Sequence, residues 1–261
     1  MRSIRSTAVL AALAATLASA GALGFAGRSL AAQRRRSSAP PRGTPAASVP
    51  FRAGETLEYQ IGYMGMTEAA TAELEVLPRL DFYGDPAWHF QATAHSQNPL
   101  RYMMALDDQF DSYAGSGGLA TRQYELYLHE NGRDSARKFA LNARTPGSES
   151  IPAPAGTRDP LAALYALRAN DWRRTPEMSS PIFDGTHFYE MTARIAAARD
   201  RVTVPAGTFD ASRITIGVVS RDSDATMQFV LWLANNPART PIEMDAEVPI
   251  GTVKAVLVTS R

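Results

Sequence analysis

From Leu57 onward, apolar and polar side chains alternate with a period of two. Leu57, Tyr59, Ile61 and Tyr63 stand against Glu58, Gln60 and Gly62, and Ala70, Ala72, Leu74 and Val76 stand against Thr71, Glu73 and Glu75. In an antiparallel sheet this pattern sends every second side chain into the core and the others outward. Met64-Gly65-Met66 joins the two runs, which therefore make a hairpin or bent pair. Further runs at 87–96, 118–128, 135–142, 187–196, 211–220, 226–233 and 248–259 bring the expectation to about nine strands. Turn chemistry separates them at Tyr83-Gly84-Asp85-Pro86, Asn131-Gly132, Asp184-Gly185 and Pro205-Ala206-Gly207.

One helix interrupts the strands. Asp159 is placed to accept the first free backbone N–H groups, and Pro160 takes the first helical position, where its missing donor costs nothing. The helix runs from Leu161 to about Asn170 and turns Leu161, Leu164, Tyr165 and Arg168 to one face, which packs on the sheet. A second short helix is expected within 97–106. The fold class is mainly β: a strongly curved antiparallel sheet, or a flattened barrel, of about nine strands with one or two helices packed on it.

The first fifty residues read differently. Arg2 and Arg5 precede an uncharged, Ala- and Leu-rich stretch from 6 to 26, the order of a secretory signal. Residues 1–32 are thus expected to form a signal peptide cleaved after Ala20 or Ala31, with an uncleaved inner-membrane anchor as the alternative. Residues 33–50, rich in Pro, Ser and Arg, form a basic linker without periodic apolar positions, and 51–261 form a single β-rich domain. The expected location is the periplasm, with the N-terminal segment allowing membrane proximity.

Charge changes the picture in one respect. Residues 1–42 hold seven of the 27 basic residues and no acid, which leaves 20 basic against 26 acidic residues and a net charge of −6 beyond them. A mildly acidic folded part argues against a nucleic-acid surface. The chain has no cysteine, which excludes disulfides, thiolate metal sites and lipid attachment through a lipobox.

Candidate chemistry is sparse. His89, His95, His129 and His187 lack the spacing of zinc ligands, so no metal and no cofactor are expected. The acidic run Asp107-Asp108-Gln109-Phe110-Asp111 is read as solvated strand-end or turn acids. No G-x-S-x-G, G-x-G-x-x-G or Walker sequence occurs, and no catalytic residue is assigned. The richer inventory is thioether and aromatic: Tyr63, Met64, Met66, Tyr102, Met103, Tyr165 and Trp232 are the candidate ligand-binding residues, suited to a lipid or acyl chain.

Six segments in order carry a family resemblance: FRAGETLEYQIGY (51–63), DDQFDSY (107–113), DPLAALYALR (159–168), FDGTHFYEM (183–191), VPAGTFDA (204–211) and LWLANNPARTPIEMDAEVPIGTVKAVL (231–257). Over about residues 51–258 the chain resembles the bacterial domain-of-unknown-function family numbered 3108. The resemblance implies an exported envelope protein and supplies no catalytic residues. One departure is Asn235-Asn236, where the family leads one to expect an acid after the Trp-Leu pair. More distantly, the plan is similar to lipoprotein carriers of the LolA/LolB kind, whose half-barrel holds acyl chains. Three functions follow as expectations: binding of a hydrophobic ligand in the curved sheet, a structural partner-binding module in envelope assembly, or an envelope hydrolase using Asp108 or Asp111 with His95 or His187.

Overall fold

The computed structural model describes residues 49–248 and 251–261. The expected signal segment, and the linker up to residue 48, lie outside the described residues. In chain order the elements are β1 (Thr56–Tyr63), β2 (Met66–Phe82), β3 (Asp85–Ser96), α1 (Leu100–Met103), β4 (Asp107–Gly115), β5 (Thr121–Glu130), β6 (Arg133–Leu141) and β7 (Glu149–Ile151). Then follow α2 (Pro160–Ala169), β8 (Glu177–Phe183), β9 (Phe188–Val204), β10 (Gly207–Ser220), β11 (Thr226–Ala234), β12 (Pro241–Val248) and β13 (Gly251–Ser260).

All thirteen strands join one sheet in the order β7-β6-β5-β4-β3-β2-β1-β13-β12-β11-β10-β9-β8. Every neighbouring pair is antiparallel except β6 and β7. The sheet is therefore open, with β7 and β8 as edges, and the flattened-barrel alternative is corrected to a curved sheet without hydrogen-bonded closure. The count of about nine strands is also corrected. Four were missed: β7 is three residues long, β8 carries Pro181, β12 begins with Pro241, and β4 was read as solvated acids. The second helix is one turn, Leu100–Met103, rather than most of 97–106.

Alternation builds the core as expected. Leu57, Tyr59 and Ile61 of β1 face Leu74, Ala72 and Ala70 of β2, and these face Ala92, Ala94 and Ser96 of β3. The small inward residues leave room for curvature beside the large ones. Because neighbours run antiparallel, connections alternate between two ends of the sheet. The upper end carries the Met64-Gly65 turn, α1, the Asn131-Gly132 turn and the β8–β9 and β10–β11 turns. Met64, Gly65, Asn131 and Gly132 all have positive φ, as two-residue hairpin turns require.

Helix α2 fills the curve. Nine of its ten residues are buried, so the one-faced packing anticipated from Leu161, Leu164, Tyr165 and Arg168 becomes burial on all sides. The chain entering the helix also draws the ends of the sheet together. Thr121 N–H donates to Thr157 O (3.0 Å), Arg158 N–H to Pro181 O (3.0 Å) and Phe183 N–H to Arg158 O (2.9 Å), so residues 157–158 lie between β5 and β8. Phe183 meets Phe139 of β6 edge-on at 5.3 Å. At this seam Gly185 has φ +96, and a Cβ there would sit 3.1 Å from Phe139 and 3.3 Å from Leu126.

Both helix ends are held by buried charge. Ala162 N–H donates to Asp159 Oδ1 (3.0 Å), while the Ser112 and Thr121 hydroxyls donate to Oδ2 at 2.5 and 2.6 Å. Burial pushes the Asp159 carboxyl up, and these hydrogen bonds pull against that. At the other end Arg168 makes a two-pronged pair with Glu55 (2.6 and 3.0 Å) and also donates to Ala238 O at 3.1 Å. Arg239 Nη1 donates to the last carbonyls, of Arg168, Ala169 and Asn170, and Trp172 Nε1 donates to Leu167 O.

Breaking one partner of a buried pair leaves an uncompensated charge. Arg168→Met is expected to destabilise by about 3–5 kcal/mol, whereas Arg168→Met with Glu55→Leu recovers most of that loss. Denaturant unfolding of both single variants and the double variant checks this; simple addition of the two losses would contradict it.

Candidate functional site

The space beside α2 is small. Between α2 (Ala163, Leu164, Leu167) and the facing strands (Val218, Phe229, Met244) a cavity of about 40 Å³ remains. Small-molecule sites occupy roughly 300–1,000 Å³, so no acyl chain fits there while α2 holds its place.

The seven candidate ligand residues do not converge. Tyr63, Met64 and Met66 flank the β1–β2 turn, and Tyr102 and Met103 lie on α1, so five of the seven share the upper end. Tyr165 is buried and stacks on Phe90 at 3.8 Å. Trp232 lies in β11 and donates from Nε1 to Asp200 at 3.2 Å. The upper-end group is conspicuous for exposure: Met64 is 70 % exposed, Tyr102 83 % and Met103 76 %. Leu100 on the same short helix is buried and anchors it.

The acidic run takes a different form from solvated turn acids. It lies in β4, where Asp108 and Asp111 are buried and point to opposite faces of the sheet. Asp107 is held by Arg101 (3.0 and 2.6 Å) and meets His95 at 2.9 Å; the hydrogen bond from Arg101 draws its carboxyl down to about 2. Asp108 faces inward and accepts the His129 N–H at 2.9 Å, and burial pushes it up to about 6. Asp111 faces outward among His89 (2.7 Å), Gln91 (2.9 Å) and Gln109 (2.6 Å). Burial raises its carboxyl, but these hydrogen bonds outweigh burial and leave it lowered.

His187 belongs to the β8–β9 turn, where its N–H and that of Thr186 both donate to Asp184 at 2.7 Å. Burial pushes Asp184 up to about 6. The pairs posited for hydrolysis are thus separated. Asp108 and Asp111 occupy opposite faces, His95 is engaged with Asp107, and His187 stands beside Asp184. Among the described residues no group of three or more acids and histidines is placed to hold a metal ion. The outward Asp111 network on β3 and β4 escaped sequence reading because its members are spread over two strands.

Comparison with known proteins adds a family and a fold. The family described as "Protein of unknown function (DUF3108)" matches residues 58–258. No curated protein matches the chain. Among solved structures, the β-barrel-like protein of the DUF1849 domain of unknown function from Brucella abortus aligns with TM-score 0.51 at 10% identity, over 79% of this chain and 96% of that one. That likeness shows the fold alone. A lipoprotein candidate from Parabacteroides distasonis aligns with TM-score 0.38 at 12% identity over 82% of this chain and 99% of its own, a score too low to carry an argument.

The raised carboxyls make stability depend on pH. In the unfolded chain Asp108 and Asp184 ionise near their ordinary value of about 3.9, while the folded chain keeps their protons up to about 6. Their contribution is therefore full below about pH 4 and is lost as pH rises to about 6. Asp108→Asn keeps an acceptor for His129 and removes the ionisation. It is expected to gain on the order of 2–3 kcal/mol relative to wild type between pH 4 and pH 7, read by denaturant unfolding at the two pH values. A pH-independent difference would contradict the assignment.

Proposed function

This chain belongs to the DUF3108 family of proteins of unknown function, and from that premise we propose that it is a non-enzymatic docking module of the cell envelope. One contrast carries the reading: α2 is buried with a cavity of only about 40 Å³ beside it, while three large apolar side chains stand exposed at the upper end, on the β1–β2 turn and on α1. Isolated exposed apolar residues are ordinary, but a group on adjoining connections rimmed by polar residues is the form of an interaction surface. Met64 adds to this. Its φ of +48 falls in a turn position that asparagine or glycine fills at lower conformational cost.

The partner we favour is a protein. Exposed acids on the upper turns include Glu68, Asp222 and Asp224, with Asp134 paired to His129; of the arginines there, Arg101 and Arg221 are tied to Asp107 and Glu190 and Arg133 is exposed. Such a rim repels anionic lipid headgroups and suits a partner with basic side chains around an apolar contact. The envelope location rests on the signal pattern of Arg2, Arg5 and the apolar stretch after them. Holding an acyl chain inside the sheet, the competing reading, requires α2 to leave its place.

Site-specific photo-crosslinking in cells tests the proposal. A photoreactive residue in place of Tyr102 or Met64 is expected to give a discrete adduct with one envelope protein. The same residue in place of Tyr83, equally apolar and 65 % exposed at the lower end, is expected to give none. No adduct from the upper positions, or the same adducts from both ends, would overturn it.

A further inference from the structure

At the lower end, where the chain leaves α2, a groove of about 830 Å³ opens between residues 171–173, the β11–β12 loop and β9–β11. Its size is that of a small-molecule site. Trp172, Ile195 and Leu233 supply an apolar floor, and Arg173, Arg199 and Arg239 line it with Asn235 and Asn236. A second hollow of about 420 Å³ shares Asn235 and Asn236 and adds Arg201 with Asp210 opposite it across the ladder.

The charge of this groove runs against that of the domain, whose net charge beyond residue 42 is −6. Half of the basic side chains beyond residue 42 are matched with acids, among them Arg101, Arg122, Lys138, Arg194, Arg213, Arg221, Lys254 and Arg261. Arg173, Arg199 and Arg201 form none among the described residues, and all three are exposed. The single acid in the larger groove, Asp171, is occupied in part by accepting the Arg173 backbone N–H at 3.2 Å. The negative end of the α2 dipole lies close by, but Arg239 already takes the three terminal carbonyls. Two guanidinium groups over an aromatic and aliphatic floor thus remain without an anion.

We infer that this groove binds a phosphate-bearing amphiphile, with Arg173 and Arg199 on the phosphate and the Trp172–Ile195–Leu233 floor under its apolar part. Guanidinium suits phosphate because its N–H groups meet two oxygens at once. The site lies at the opposite end from the proposed docking surface and stands without it.

The test is a titration with decyl phosphate below its micelle concentration, with inorganic phosphate alongside, on the whole domain and on Arg173→Gln/Arg199→Gln. Both positions are exposed, so unchanged thermal unfolding is expected for the variant. Decyl phosphate is expected to bind saturably and more tightly than inorganic phosphate, with a loss of about tenfold or more in the variant. Arg133→Gln/Arg144→Gln, at two arginines that line neither hollow, is expected to bind like wild type. Co-sedimentation with phosphatidylglycerol vesicles then separates the sources. Pelleting that the groove variant loses identifies a lipid headgroup, and decyl phosphate binding without pelleting identifies a soluble phosphate ester. Absence of saturable decyl phosphate binding, or equal affinity in the groove variant, would overturn the inference.

Discussion

Helix α2 lies inside the sheet with both ends out of water, and each end exposes backbone groups that must find partners there. Asp159 answers at the start and the Glu55–Arg168 pair with Arg239 at the finish. These contacts reach across the fold. Asp159 takes hydroxyl hydrogen bonds from β4 and β5, and Arg168 reaches the residue before β1 and the loop before β12. An open sheet of thirteen strands has no closing ladder of hydrogen bonds to fix its curvature. The helix and its two charged anchors supply that constraint from within. Buried ion pairs give little net stability compared with apolar packing, but they penalise any other seating of the helix.

This arrangement determines where function can reside. The space beside α2 is a remnant of about 40 Å³, and the larger hollows among the described residues open on the outer face of β1–β3 and at the lower end. The two ends differ in character. The upper end is apolar with an acidic rim and projects Met64, Tyr102 and Met103, while the lower end is a basic groove over Trp172. A domain with opposite chemistry at its two ends is suited to standing between a protein partner and a phosphate-bearing ligand.

The sequence was most informative where local chemistry dictates structure. Period-two alternation located β1, β2, β3, β10 and β11, and the Asp159-Pro160 pair located the start of α2. Where tertiary context decides, it was less so. β4 was misread because Asp107, Asp108 and Asp111 look like solvent-facing acids, and only their partners on neighbouring strands make the burial of two of them tolerable. β12 carries Ile242, Met244 and Ala246 in plain alternation, but Pro241 at its start argues against a strand there. The candidate residues show the same division. Exposure of Met64, Tyr102 and Met103 is a property of turns and of one short helix, and no periodicity encodes it. The arginines of the lower groove come from α2's exit, β9 and the loop before β12, which only the fold brings together.

Native-state hydrogen exchange of the α2 amides tests most directly whether the helix is a fixed strut. The account predicts that these amides exchange only in the opening that also exposes β3 and β11, with the same free energy and denaturant dependence. Exchange of α2 through a separate opening at lower free energy, with β3 and β11 still protected, would contradict it. The helix would then be a displaceable plug and the interior a ligand site.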